Sequence, residues 1–395
     1  MSGEKARILR IAGLILAVLG ASFASAAQRI ESEDANKSLQ GQAERSGVIL
    51  DRGKQAHYAR TFDLSGLPNY APSEKLSGWI RLHGSNYLVD GMLGEYWLQG
   101  FAKFQPGIRV STYLPTAAVA FAALYYRQAD IVMGHRPSFY DLLAYQRVME
   151  SDPLEITAVT GSYDVPGWES ATVILVNDKN PIKGVTLNQL DGIFGAARDG
   201  GWSGTNFRPD WARGPEGNIR TWGQLGLTGE AAKKRIGVYG FNLRYNTATD
   251  FADRVMQGGD KWNEDIHAFA HVVQPNGKRY IQGDQITDAL AKDPDGIGYN
   301  RFRGDRKGVR RLPVAAREGG PFVEHTLENV QNRSYPLYNE AYFYVPVKPG
   351  EKMNPLVKEF LRYALSREGQ AEVQRDGKYL PLTADVVREQ LKKLQ

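Results

Sequence analysis

The chain has 395 residues, of which 42% are hydrophobic and 24% charged, and it contains no cysteine. That length predicts two domains or one two-lobed domain, a mean hydropathy of −0.42 argues against an integral membrane protein, and the missing cysteine excludes disulfides and thiolate chemistry. The formal charge of +5 falls to +3 once the net +2 of Glu4, Lys5, Arg7 and Arg10 is set aside with an expected leader, which is too small to argue for nucleic acid and fits a small-anion ligand.

The opening segment reads as that leader. Lys5, Arg7 and Arg10 form a basic n-region, Ile11 to Leu19 a short apolar run, and Ala24-Ser25-Ala26 a small-x-small cleavage pattern. The run is short for a membrane span. The expectation is a signal peptide over 1–26, cleaved after Ala26, and export to the periplasm. Residues 27–77 are polar and weakly patterned, an extension or linker wrapping the body.

The folded core is expected from residue 78. Ile80 and Leu82 give a strand ending in Gly84-Ser85-Asn86, and Leu88, Met92, Leu93, Tyr96, Trp97, Phe101 and Phe104 recur at helical spacing. Residues 108–112 read as a second strand. Pro115-Thr116 opens an Ala-rich helix from Ala117 to about Gln128, with Thr116 as its cap. Residues 129–133 form a third strand ending in Gly134-His135-Arg136-Pro137. Strands alternating with helices predict βαβ units and a parallel sheet, whose ligands bind at the carboxyl ends of the strands.

Residues 156–159 and 171–176 are further strands, the second a buried apolar run. Residues 186–194 are a short capped helix. Residues 199–226, rich in Gly, Trp and Arg, read as a long surface insertion. Residues 236–251 then combine a strand, Arg244, the hydroxyls of Thr247 and Thr249 around Ala248, and a helix start at which Thr247 or its neighbour is the N-cap. Free N–H groups and the positive dipole at a helix start, a guanidinium fork and neutral hydroxyl donors all favour an anion. Residues 286–291 suggest a helix, 296–299, 309–314 and 342–347 strands. Asn354-Pro355 caps a helix, 366–375 form another ended by Gly377, and a basic amphipathic tail closes the chain.

An ordered set of these segments resembles the phosphate-binding proteins of bacterial ABC importers, in the type II arrangement of periplasmic solute-binding proteins. The set runs from Gly84-Ser85 through Ala129-Asp130-Ile131, Thr247-Ala248-Thr249-Asp250-Phe251 and Gly296-Ile297-Gly298-Tyr299. It continues through Tyr335-Pro336-Leu337 and Glu368-Gly369 to Tyr379-Leu380-Pro381-Leu382, covering about residues 78–383. The resemblance implies an α/β fold of two lobes, each a mostly parallel sheet flanked by helices, joined by a two-strand hinge. Lobe 1 is expected over 78–178 and 335–395, lobe 2 over 179–334. It also implies capture of phosphate or a related oxyanion between the lobes. Carried residue by residue, the site falls on Ser85, Asn86, Thr116, His135, Arg136, Arg244, Thr247, Ala248 and Thr249. Thr116 or Ala117 stands where a serine is usual, Thr247-Ala248-Thr249 where the family has Ser-Gly-Thr, and Arg244 one residue from the family's arginine. His135 stands where the family has an acidic residue, a departure with which His135 or Arg136 suits a fully ionised or differently shaped anion.

Enzyme signals are weak. His267 and His271 have the spacing of metal ligands on a helix, but no glutamate base lies between them; two histidines on one helix face by chance is the preferred reading. Gly201-Trp202-Ser203-Gly204-Thr205 breaks the nucleophile-elbow pattern at its last position. Arg301, Arg303, Arg306, Lys307, Arg310 and Arg311 read as a solvated basic face. The reading is therefore a monomeric, cofactor-free binding protein and not an enzyme, with a small anion as ligand and an ABC permease as partner. The alternative is the same fold used for sensing or interaction, with a different anion or none.

Overall fold

The computed structural model describes residues 55–301 and 306–394. The leader with its cleavage site, the extension up to residue 54 and Arg303 lie outside these residues. Two five-stranded sheets organise the chain. Their strands are β1 (Gly78–Gly84), β2 (Ile108–Tyr113), β3 (Ile131–Gly134), β4 (Leu154–Thr160), β5 (Val173–Asn177), β6 (Gly237–Phe241), β7 (Ile266–Phe269), β8 (Gly296–Asn300), β9 (Val309–Leu312) and β10 (Glu340–Val345). The helices that matter below are α1 (Tyr87–Asp90), α2 (Leu93–Phe104), α3 (Ala117–Tyr125), α4 (Phe139–Met149), α5 (Leu187–Phe194), α6 (Asn246–Val255), α7 (Gln282–Lys292), α8 (Pro355–Ala364), α9 (Arg367–Asp376) and α10 (Ala384–Lys392).

The first sheet has the order β2-β1-β3-β10-β4 and the second β7-β6-β8-β5-β9. In each, the first three strands are parallel and the fourth is antiparallel to both its neighbours. The antiparallel strand is in both cases the first one laid down after the chain enters that lobe from the other: β5 follows β4, and β10 follows the second-lobe segment. The expected mixed α/β, two-lobed architecture is therefore present. The change of sheet, however, falls in residues 161–172, since β5 pairs with β8 and β9 rather than with the first sheet, where the boundary at 178/179 had placed it. A continuous apolar run announces a buried strand but not which sheet buries it.

Both faces of the first sheet carry aromatic cores. Trp97 of α2 packs on Phe343 with ring centroids 5.5 Å apart, and Phe101 on Phe360 at 5.4 Å. On the opposite face Phe121 meets Tyr145 at 5.5 Å and Tyr344 at 5.4 Å. In the second lobe Phe251 stacks on Tyr299 at 4.0 Å and 9°, with Phe194 against their edges. Each fully buried Phe contributes roughly 1.5–3 kcal/mol relative to exposure. The helix expected from Leu88 to Phe104 is two helices. Gly91 is extended, and the Met92 N–H donates to Asp376 Oδ1 at 2.7 Å, a long-range bond that the local periodicity does not register.

The two crossings between lobes are hydrogen-bonded to each other. The Gly161 N–H donates to Asn339 O at 2.8 Å, the Thr172 N–H to Leu337 O at 2.9 Å, and Asn339 Nδ2 to Ser170 O at 2.8 Å. Such a pair of crossing segments is the expected two-strand hinge.

Residues 55–77, expected as a wrapping extension, form a strap on the first lobe. Tyr70 Oη donates to Glu359 of α8 at 2.6 Å, Ser73 Oγ to the same carboxylate at 2.6 Å, and the Arg367 N–H to Pro68 O at 2.8 Å. Leu67 and Tyr70 are buried. The strap begins at the hinge. His57 Nε2 lies 2.9 Å from Asp164 Oδ1, and the buried Tyr58 hydroxyl donates to the same oxygen at 3.0 Å while accepting the N–H groups of Tyr163 and Asp164 at 2.9 and 3.1 Å. Removing that hydroxyl withdraws an acceptor from two backbone amides, at a cost of about 1–3 kcal/mol for groups left without a partner. Tyr58→Phe is accordingly expected to lower stability by that amount in urea unfolding with an unchanged m-value; a loss below about 0.3 kcal/mol would show that the strap does not brace the hinge.

Candidate functional site

Three turns lead out of the carboxyl ends of β1, β3 and β6. Each is shaped locally. Gly84 has φ +145° and would place a Cβ 2.1 Å from Met133 O, so only glycine lets β1 lie this close to β3 before the turn. Ser85 follows it, buried, its N–H donating to Met133 O at 2.8 Å and its hydroxyl facing the Tyr87 N–H at 3.3 Å. Asn86 Nδ2 donates to Asp90 at 2.5 Å. Thr116 directly precedes α3. At the end of β3, His135 Nδ1 lies 2.7 Å from Arg136 O.

The third turn differs from its expected form. α6 starts at Asn246 with Tyr245 as N-cap and no side-chain cap, so Thr247 lies within the first turn and not at the cap. Thr247 and Ala248 are buried, and Thr249 Oγ1 donates back to Asn246 O at 3.0 Å. An uncapped first turn leaves backbone N–H groups for an anion or water. Arg244 lies exposed on the preceding loop, its guanidinium 5.5 Å from the Tyr245 ring centroid.

The side chains that line the cleft come from both lobes and from the hinge. Arg136, Glu340 and Tyr342 are contributed by the first lobe, Asp250, Asp253 and Arg254 by α6, and Glu169 and Asn339 by the crossings. Of the expected site residues, Arg136 is among them. It donates to the Tyr342 hydroxyl at 3.1 Å, with its guanidinium 5.6 Å from the ring centroid. Tyr342 in turn donates to Glu340 at 2.7 Å, and Glu340 pairs with Arg333 at 2.7 Å. Arg254 stacks on Tyr338 at 5.3 Å and enters no ion pair among the described residues. Asp250, Asp253 and Arg254 stand three and four residues apart on one face of α6, opposite buried Phe251 and Val255, and that charged stripe beyond the Thr247-Ala248-Thr249 turn is the signal that finds them.

Behind this wall lies a buried ion-pair cluster. Arg301, read from the sequence as part of a solvated basic face, is 8% exposed. Its guanidinium donates to Glu169 Oε2 at 3.0 Å and to Asp250, and its carbonyl accepts the Ser170 hydroxyl at 2.7 Å. Glu169 has φ +43°, a left-handed conformation unusual for a non-glycine residue, in a tight turn after Gly167. Burial pushes its carboxyl up, and the Arg301 guanidinium opposes that shift. His267 and His271, read as one helix face, are instead on β7 and just after it. His267 stacks on Tyr239 at 5.3 Å, and His271 Nδ1 lies 2.8 Å from the Tyr245 hydroxyl. Among the described residues no group of three or more His, Cys, Asp or Glu side chains is arranged to hold a metal.

Residues 80–368 match the model of the PBP superfamily domain, and the chain belongs to that family. Among its relatives is the phosphate-binding protein PstS of Pseudomonas aeruginosa, 29% identical over 329 residues that span 83% of this chain and 90% of that protein. Solved structures of similar shape include PstS from Borrelia burgdorferi, with 14% identity, a TM-score of 0.48 and coverage of 78% of this chain and 100% of that one. An ABC-type phosphate transport receptor from Vibrio cholerae has 15% identity, a TM-score of 0.46 and coverage of 76% and 99%.

Two outcomes follow from this electrostatics. Arg301→Met leaves Glu169 and Asp250 buried without their cation, and breaking such a cluster costs about 3–5 kcal/mol; a loss below about 1 kcal/mol in chemical denaturation would contradict the burial. Burial, and next the neighbouring Asp250, raise the Asp253 carboxyl to about 6. A raised acid costs stability as pH climbs, because the unfolded chain releases its proton first. Asp253→Asn removes that cost, so its melting temperature relative to wild type is expected to rise from pH 4 to pH 6.5 and then level off. A flat difference across that range would refute the assignment.

Proposed function

We propose that this chain captures phosphate, or a closely related oxyanion, between its two lobes for uptake by an ABC importer. The observation that carries the reading is the cleft itself. It is walled by both lobes and the hinge, it presents the guanidinium groups of Arg136 and Arg254, and it lies beside the uncapped first turn of α6. Membership of the PBP superfamily and the P. aeruginosa relative's name support the same ligand. In this reading Ser85, Asn86, Thr116 and His135 supply the first lobe's turns, and Thr247, Ala248 and Thr249 supply backbone and hydroxyl donors from the second. Arg136 is the principal cation, because Arg244 is turned onto Tyr245 at the surface. Binding shifts an open–closed equilibrium toward the closed form. The protein acts without catalysis, as an exported monomer in the periplasm, and hands its ligand to a permease in the inner membrane.

The four carboxylates of Glu169, Asp250, Asp253 and Glu340 around the same cleft favour an oxyanion that still carries a proton and can donate to one of them. Sulfate, fully ionised at neutral pH, meets the same carboxylates with nothing to donate. Titration calorimetry is expected to show tight binding of phosphate and much weaker binding of sulfate. Arg136→Ala is expected to weaken phosphate about 10- to 100-fold, the range for a lost hydrogen bond to a charged group. Arg244→Ala should leave affinity within about twofold, as for an exposed side chain outside the cleft. Absence of any heat with phosphate would sink the reading; a strong loss with Arg244→Ala and none with Arg136→Ala would exchange the roles of the two arginines.

A further inference from the structure

The 199–226 insertion has no place in ligand capture as described, yet it is firmly built. Its root is held by Arg198, buried and paired bidentately with Asp191 of α5 at 2.6 and 2.8 Å, and by Arg213, which donates to Ala196 O at 2.8 Å. From that root projects a short hairpin, Gly201–Ser203 paired with Asn206–Arg208 around a two-residue turn in which Gly204 has φ +60°. The hairpin is tied to the far end of the helix that faces the cleft. The Trp202 N–H donates to Gln257 O at 3.0 Å, just past the C-terminus of α6.

The tip of the hairpin touches the other lobe. The Trp202 ring lies edge-on to Phe139 of α4 with centroids 4.9 Å apart, and Phe207 backs Trp202 at 5.2 Å. Thr205 Oγ1 donates to Gln146 Oε1 of α4 at 2.7 Å. Trp202 and Phe207 nevertheless remain 38% and 50% exposed. These side chains are too apolar to be stable in water alone and too lightly covered to be core. They form a small, partly exposed contact that reaches from the second lobe to the first.

We propose that the hairpin is an interlobe latch, docking Trp202 and Thr205 on α4 to hold the cleft closed and to slow ligand release. Because its root is fixed to the C-terminus of α6, and the first turn of α6 lies at the cleft, rotation of the second lobe onto a ligand carries the hairpin onto α4 in the same movement. Separate aromatic and hydrogen-bonding contacts of this kind act on the closed state alone, so they change dissociation and not encounter.

The chain contains no cysteine, so a Gln146→Cys/Thr205→Cys pair in the otherwise native full chain gives an unambiguous reporter. A short bis-maleimide, which tolerates the added reach of the Gln146 side chain that a disulfide would not, is expected to cross-link the two thiols within one chain, faster with phosphate present than without. Trp202→Ala and Gln146→Ala are expected to speed phosphate dissociation in stopped-flow by roughly three- to tenfold, the effect of losing one aromatic pair or hydrogen bond. They should also raise the ligand-free radius of gyration by small-angle scattering. Gln146→Ala removes the part-buried contact with Thr205 and an exposed hydrogen bond to Asp152, and guards against misfolding of the tryptophan variant. No cross-link, or dissociation rates and scattering equal to wild type in both variants, would overturn the latch. The cross-link and scattering arms do not depend on the ligand: if phosphate fails to bind wild type, the function proposed above falls while they still decide the latch.

Discussion

Arg301 is buried with two carboxylates, Glu169 from the first crossing and Asp250 from the second turn of α6, and much of the cleft geometry depends on that arrangement. A lone guanidinium at such depth is not tolerable, and a lone buried carboxylate is no better. Each therefore fixes the others. Glu169 is drawn into a left-handed turn that a free loop would avoid. Asp250 pins the start of α6 against β8, whose end carries Arg301. The hinge and the cleft-facing helix are thus held together by one charged cluster. A cluster of this kind adds little net stability compared with an apolar packing of the same volume, but it specifies one geometry. In a two-lobed binder, a helix start whose position relative to the hinge is fixed is what lets lobe rotation be transmitted to the ligand.

The two sheets share one construction, and its origin is in the path of the chain. A strand entering a lobe from the other side runs against the strands that the βαβ units of that lobe contribute, whether these come before it in the chain, as for β10, or after it, as for β5. β5 and β10 are those entering strands, and each sits fourth in its sheet, antiparallel to both neighbours. The crossings that feed them are hydrogen-bonded to each other, so the lobes turn about a short two-stranded segment rather than about a loose linker. The carboxyl ends of the parallel strands then face the cleft from both sides, which is where Ser85, His135 and the α6 turn are found.

Much of this was legible in the sequence wherever the signal is local. The Thr186, Asn354 and Ser366 helix starts accept the N–H bonds their chemistry predicts, and Gly377 ends α9 in a left-handed conformation. The alternation of strands and helices predicted βαβ units and a parallel sheet, and the family resemblance supplied the division into two lobes. What escaped depends on partners far away in the chain. Arg301 sits in a run of arginines that looks solvated, and its carboxylate Glu169 is 132 positions away. The break between α1 and α2 answers to Asp376, 284 positions on. His267 and His271 have a helical spacing, but β7 is set by pairing with β6, and pairing overrides a two-residue coincidence. Arg136 was visible because it ends a strand at a turn. Asp253 and Arg254 were missed although their charged stripe on α6 is a local signal, because only the assembled cleft shows that α6 turns that face to it.

The strap and the hairpin act on one equilibrium from different places. The strap grips the first lobe along α8 and α9 and reaches the hinge through Tyr58, which satisfies the amides of Tyr163 and Asp164 and bonds the Asp164 carboxylate. It stiffens the pivot without choosing between open and closed. The hairpin contacts α4 only when the lobes approach, so it lowers the free energy of the closed state alone. A cleft whose walls mix Arg136 and Arg254 with several carboxylates gains little from long-range attraction, since opposite charges stand side by side. Closure in such a site has to draw on short-range contacts, made with the ligand at one end of α6 and with the other lobe at the other end. That division gives the aromatic insertion a role: it supplies closing energy that the balanced electrostatics of the cleft do not.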